Sequence, residues 1–215
     1  LGAEAPAAAP RATLPGEVNM FTLGVVPDEA AYGEVHAAVA DVEACGSVEN
    51  RVRLARECVE HGMHEDAAAL YRSCLAGVHE VDEKVQAWTY LDPEHALRQA
   101  QAADAHRMAG RALGPLHGVP IGIKDIFDTS DYPTEFGSAL WKGQTPRQDS
   151  AAVARLRAAG AIILGKTVTT EYAYFNPGKT RNPHNPDHTP GGSSSGSAAA
   201  VASLVVPGAI GSQTN

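Results

Sequence analysis

Aromatic residues are scarce in this sequence, 6% of 215 positions, and cysteine is scarcer still, with three. Cys45, Cys58 and Cys74 are odd in number, scattered, and lack metal-ligand spacing. That argues against a disulfide framework and reads as reduced, buried small residues of a cytoplasmic protein. No apolar run approaches the roughly 18 residues that suggest a membrane span, and the first residues hold no basic-then-apolar secretory signal. The nine histidines form no HExxH or related cluster, so no metal site is expected. Net positive charge is lacking too. The balance is −8 at pH 7, which argues against nucleic acid or a membrane surface as the main partner. What is present, 44% hydrophobic and 20% charged residues, is ordinary globular composition. The length suits one domain, or one plus a small extension.

Residues 1–27 begin with an arm, Leu1 to Pro15, built almost entirely of Ala, Pro, Gly and Glu; the arm is expected to be mobile and to carry no chemistry. A helical region over 28–81 follows. Ala31, Val35, Ala38, Val39 and Val42 recur at helical spacing. Ser47 is placed to cap a second helix, Val48 to His61, and Gly62 to end it. A third helix is predicted from about Glu65 to Val78 through Ala68, Leu70, Tyr71 and Leu75. The spacing Leu54, Ala55, Gly62, Ala67, Tyr71 fits one tetratricopeptide-like helix pair. It fits a plain helical pair packing on the next domain equally well, since one repeat cannot form a stable array.

The third segment, 82–215, has a different texture. Leu91-Asp92-Pro93-Glu94 opens a helix, with proline in its first turn and acidic residues beside it; Ala96, Leu97, Ala100 and Ala103 carry it toward Gly110. Ile121-Gly122-Ile123-Lys124-Asp125-Ile126 reads as a buried strand. A lysine there is costly unless paired or neutralised. Its ordinary fate would be an ion pair with Asp125 or Asp128; the alternative is a role in chemistry. Asp149 to Gly160 is predicted helical, and Ala161 to Thr167 reads as strand into loop. Helix, loop and buried strand in this order indicate an α/β layered domain. The proline-rich stretch from Asn176 to Pro190 is a long loop, a common carrier of function. Leu204 to Gly211 reads as a strand entry.

Between them lies Thr189-Pro190-Gly191-Gly192-Ser193-Ser194-Ser195-Gly196-Ser197, running into Ala198-Ala199-Ala200-Val201-Ala202. A Gly/Ser linker is the dull reading of such composition. Against it, apolar sequence continues to Ile210, and the run is short for a spacer. A small-residue turn opening a buried helix offers hydroxyls and free N–H groups, which suits chemistry on a carbonyl.

Three pieces, in order, resemble the amidase signature family of serine amidases. They are Gly118-Val119-Pro120-Ile121-Gly122-Ile123-Lys124-Asp125; Gly160-Ala161-Ile162-Ile163-Leu164-Gly165-Lys166-Thr167 with Glu171; and Asn182-Pro183 with Pro190 through Ala202. The resemblance implies α/β/α layers around a mixed sheet, here preceded by a small helical region and holding less than half of the family's sheet. It places a general base on Lys124 and a proton-bridging serine on Ser193, whose peptide bond from Gly192 would be cis. Burial can lower a lysine toward neutrality so that its amine accepts a proton, and Ser-Lys pairs are a variant of the Ser-His-Asp logic. Ser194, Ser195 and Ser197 have helix-cap and turn hydroxyls as their default, with Ser197 reaching toward the triad and Ser194 toward substrate. Gly211-Ser212-Gln213-Thr214-Asn215 resembles the start of the family's nucleophile segment. Gln213, Thr214 and Asn215 would flank the substrate, the last two lending N–H groups to an oxyanion hole. The attacking serine would lie just past Asn215; Ser212 is a poor substitute, standing where the family has a strand threonine.

The activity so implied is hydrolysis of a small carboxamide to carboxylate and ammonia through an acyl-serine, with no cofactor. The 169–185 stretch looks closer to small-amide hydrolases of the malonamidase or biuret-hydrolase kind than to the amidotransferase that amidates tRNA-bound glutamate. The expected partners are a small amide substrate and a second copy of the chain, with neither nucleic acid nor membrane. The competing reading is a catalytically inactive piece, or a helical interaction module carrying an amidase-like segment.

Overall fold

The computed structural model describes residues 67–212. The helices expected over Asp28–Ala44 and Val48–His61, and most of the tetratricopeptide-like spacing, lie outside the described residues.

Helix α1 (Ala67–Val85) buries Tyr71, Cys74, Val78 and Val85 in one stripe. Its N-terminal amides at Ala67 and Ala68 donate to the Asp104 carboxylate at 2.8 and 3.2 Å. It runs past the expected end at Val78 because Val81 and Val85 continue the stripe and Lys84 suits the last turn. Gln86, at φ 54°, then turns the chain, and Asp82 accepts from the Ala87 amide. Strand β1 (Trp88–Leu91) follows, and α2 (Pro93–Met108) begins as its sequence dictates. Asp92 caps it by accepting from His95 N at 2.9 Å, Pro93 fills the first turn, and Ala96 and Ala100 are buried.

Strand β2 (Pro120–Lys124) is buried at every position, as is β3 (Ile162–Thr167). Helix α3 (Ala151–Ala158) joins them, shorter at both ends than the expected Asp149–Gly160. At its start Asp149 turns aside to accept from Ser130 and Arg157; at its end Gly160 takes φ 92°. Helix α4 (Ser195–Ala202) and strand β4 (Gly208–Ile210) complete the described chain.

The sheet order is β1-β3-β2-β4. Strand β2 runs parallel to both β3 and β4, while β1 is antiparallel to β3, so the sheet is mixed. One core joins α1, α2 and α4 to one face through Trp88, Ile162, Leu164, Ala199 and Val205. The other packs Val153 of α3 and Tyr132 on the opposite face, against Ile121, Ile123 and Ile163. These are the α/β layers that the sequence implied. A bulge interrupts the β2–β3 register. Ile121 pairs with Ile163, but Gly122 pairs with Gly165, leaving Leu164 extra. From there on, Ile123 stands beside Lys166 and Lys124 beside Thr167.

Candidate active site

Alternation along β2 sends Lys124 to the α4 face, opposite Ile123. It is 0% exposed, yet no carboxylate among the described residues lies within ion-pair reach. Its Nζ donates instead to Ser193 Oγ at 2.6 Å and to Ser212 Oγ at 2.6 Å. The ordinary fate of a buried lysine, pairing with Asp125, belongs to Lys166, whose Nζ is 3.1 Å from Asp125 Oδ1. Burial without a counter-charge lowers the Lys124 pKa to about 8. Near neutral pH its amine is therefore free in a minority of molecules, a far larger share than for an exposed lysine.

Ser193 is buried at the N-terminal approach to α4, and the Gly192–Ser193 peptide bond is cis. Its carbonyl accepts from Thr170 N at 3.0 Å, which fixes the turn to the segment after β3. Gly191, at φ 89°, makes the bend that leads in. The serines behind it each tie down a different element. Ser194 does not cap α4 with its side chain; its Oγ accepts from Ser212 N at 3.0 Å and lies 3.2 Å from Ser212 O. Ser195 Oγ reaches Val168 O at 3.5 Å. Ser197 Oγ lies 2.7 Å from Thr167 Oγ1 and donates to Ile210 O at 2.8 Å, bridging β3 and β4. Thus the Gly/Ser stretch is a buried knot and not a linker.

Three residues enter this geometry that sequence reasoning left out or weighed for another role. Thr167 and Thr170 hold Ser197 and Ser193, and Ser212, considered only as an attacking group, is a second acceptor for Lys124. Thr167 could not be found from spacing, since it stands beside Lys124 only because of the bulge at Leu164. Gln213, Thr214 and Asn215 lie outside the described residues.

Around the turn, Tyr172, Tyr174 and Phe175 are exposed on the Glu171–Ala173 turn and just after it. Thr170 Oγ1 donates to Tyr174 O at 2.6 Å, and Trp141 Nε1 donates to Tyr172 Oη at 3.1 Å. A cleft of about 320 Å³ opens beside Asp125, Glu135, Ser138, Lys142, Thr169 and Lys179; neither Lys124 nor Ser193 lines it. It is a neighbour of the lysine–serine site, separate from its reacting atoms. Among the described residues no group of His, Cys, Asp and Glu could hold a metal ion. The site as built is a chain of hydroxyls ending on a desolvated amine, an arrangement suited to moving a proton.

A family model described as Amidase matches residues 69–215. The GatA-type component of glutamyl-tRNA(Gln) amidotransferase from Salinispora arenicola is 45% identical over 156 residues, covering 69% of this chain and 31% of that protein. Native peptide amidase from Stenotrophomonas maltophilia superimposes with a TM-score of 0.63 at 35% identity, over 78% of this chain and 34% of that one. A vestigial protein complex bearing on the origins of an s-triazine catabolic enzyme gives 0.64 at 35% identity, over 70% and 34%. The chain thus spans about a third of the length of these relatives.

Proposed function

The chain belongs to the amidase family, and from that premise we propose that it carries the base and proton bridge of a carboxamide hydrolase. The observation that supports this most directly is the 2.6 Å contact between Lys124 Nζ and Ser193 Oγ at a lysine with no exposed surface. In the proposed reaction a serine following Asn215 attacks the carboxamide carbon. Its hydroxyl proton passes to Ser193, and the Ser193 proton to the neutral Lys124 amine. Collapse of the tetrahedral intermediate returns a proton along the same path to the departing nitrogen, releasing ammonia and leaving an acyl-serine. Water then cleaves that ester to the carboxylate, with the lysine again taking the proton. Backbone N–H groups of Thr214 and Asn215 would face the developing oxyanion, while Ser194 and Ser197 keep Ser212 and β4 in register with the lysine. No cofactor is required by these steps. We further propose the division into an arm at 1–27, a helical region at 28–81 and the amidase segment at 82–215, with a homodimer as the assembly.

The substrate proposed is a small free amide, supported by the structural likeness to the s-triazine system and to peptide amidase. A second reading, a component of an amidotransferase that feeds ammonia to glutamyl-tRNA(Gln), is favoured by the identity to the Salinispora protein. Ammonia release separates them. The product of the full reading frame, and the 215-residue chain, are assayed on small amides with and without glutamyl-tRNA, alongside fluorophosphonate labelling. Free-amide hydrolysis without tRNA supports the first reading, and tRNA-dependent transfer the second. A full-length protein that neither labels nor releases ammonia would leave the inactive-module reading standing. Lys124→Ala should lower turnover by about 10²–10⁴-fold; unchanged turnover overturns the base assignment.

A further inference from the structure

Ser212 takes no part in the proposed proton path, yet its hydroxyl is as close to the Lys124 amine as that of Ser193, 2.6 Å in each case. Among the described residues these two hydroxyls are the hydrogen-bond partners of that amine. Ser212 reaches this place because β4 runs parallel to β2, with Ile210 beside Ile123, the residue before Lys124. Ser194 then fixes it. The Ser194 Oγ accepts from Ser212 N at 3.0 Å and donates to Ser212 O at 3.2 Å, so the backbone of Ser212 is held on both sides. Gly211 admits this approach, since a Cβ there would meet Ser194 Oγ at 2.8 Å. Ser193 and Ser194 are neighbours in the chain, so the contacts close into a ring that runs from Lys124 through Ser193, Ser194 and Ser212 back to Lys124.

We propose that Ser212 is a positioning residue for the proton transfer: its clamped hydroxyl accepts one N–H of the Lys124 amine and so turns the lone pair of the neutral amine toward Ser193. The inference rests on Lys124 being the base. A neutral primary amine has two N–H bonds and one lone pair, and it rotates about its Cε–Nζ bond among three staggered positions. With one hydroxyl in reach, nothing selects the position that faces Ser193 with the lone pair. A second acceptor fixed at 2.6 Å takes one N–H and narrows that choice. A freely moving hydroxyl could not do this, which is what the Ser194 clamp prevents. During the transfer the Ser193 O–H bond breaks and a new N–H bond forms on the Ser193 side. Ser193 takes the proton of the attacking serine in exchange. The N–H that faces Ser212 stays intact throughout, so Ser212 neither loses nor gains a proton; it holds the base in the geometry that the transfer needs. Since an ammonium donates more strongly than an amine, the same contact also favours the charged form of Lys124.

The test follows the side-chain ¹³Cε resonance of Lys124 against pH in the 215-residue chain, with Lys124→Met identifying the signal. Ser212→Ala should move the midpoint down by about half a pH unit to one unit, because the ammonium loses a hydrogen-bond acceptor. Ser212→Thr, which returns the hydroxyl, should bring it back near the parent value. Loosened packing acts the other way, since admitted water raises the midpoint toward that of an exposed lysine. An upward shift or an unmoved midpoint in Ser212→Ala therefore overturns the proposal. If Ser212→Ala does not fold, Ser212→Cys decides alone, keeping the shape with a weak sulfur acceptor: a downward shift supports the proposal, and any other result overturns it. In the full-length protein Ser212→Ala should lower kcat about 10- to 100-fold with KM unchanged, and Ser212→Thr should restore most of the loss. Parent-like kcat in Ser212→Ala beside an impaired Lys124→Ala overturns the positioning role alone. Parent-like turnover in Lys124→Ala removes the base reading itself, so the two failures are told apart.

Discussion

Lys124 is the residue at which folding and chemistry conflict. Desolvation disfavours its ammonium form in the folded chain, so its pKa of about 8 lies below the roughly 10.4 of an unfolded lysine. Between those values the unfolded chain binds more protons, and stability rises with pH by up to about 1.4 kcal/mol per unit. The penalty is present in full below about pH 8 and is relieved as pH rises toward the unfolded value. Lys124→Met has no such group to titrate. Its stability relative to the parent, measured by urea denaturation from pH 7 to 10.5, should therefore be highest at pH 7 and decline upward. A constant gap would mean that the folded lysine is not depressed. The same sign governs the proposed activity, because Lys124, as the proposed base, must be neutral. Amide hydrolysis by the full-length protein should fall on the acid side of about pH 8, and Lys124→Arg, which stays charged, should be inactive across the range.

At the scale of elements, α4 can reach the sheet only because Gly196 has no side chain. A Cβ there would lie 2.2 Å from Val168 N and 2.3 Å from Ala87 O, both backbone atoms. Gly196→Ala must therefore push α4 off β3 and separate Ser193 from Lys124. We expect a loss of about 3 kcal/mol or more, read as a fall in the urea midpoint. The exposed Ala198→Gly in the same helix should cost only about 1 kcal/mol. If the two substitutions cost the same, close approach is not what the glycine provides. Which elements were legible follows from similar local facts. The start of α2 was readable because Asp92, Pro93 and Glu94 all mark one N-terminus. Strands β2 and β3 were readable as short buried β-branched runs. Strand β1 was not: it has four residues, and Trp88-Thr89-Tyr90-Leu91 is a strand only by virtue of pairing with β3. The proposed base and bridge, Lys124 and Ser193, came from the family resemblance, whereas the placement of Lys166 on the opposite face depends on a bulge that no spacing in the sequence announces.

Across the whole described molecule, the two faces of the sheet are held by different means. The α1–α2–α4 face is closed by apolar packing, whereas the α3 face has a smaller core rimmed by charge. At the centre of that rim stands Arg157. It donates to Asp149 Oδ2 at 3.0 Å, to Asp131 Oδ1 at 2.5 Å and to Gln99 Oε1 at 3.1 Å, joining α3 to α2 and to the loop after β2. His95 of α2 meets the other oxygen of Asp131 at 2.7 Å, and Gln99 continues inward to Tyr132 and Ile163. Partial burial opposes ionisation of Asp149, but hydrogen bonds from Ser130 and the Arg157 guanidinium outweigh it and hold the carboxyl below its usual range. Its contribution is thus present above the unfolded carboxylate value and is lost as pH falls through the folded one. Arg157→Ala should remove about 1–3 kcal/mol near neutral pH, since it strands two half-buried carboxylates. The deficit should shrink on acidification, as pH falls from the unfolded carboxylate value of about 3.9 through the lowered folded value of Asp149. Thermal unfolding of parent and variant from pH 7 to pH 3 checks this. Curves that stay parallel would assign the cost of Arg157→Ala to lost packing of its side chain and not to the charges that it joins.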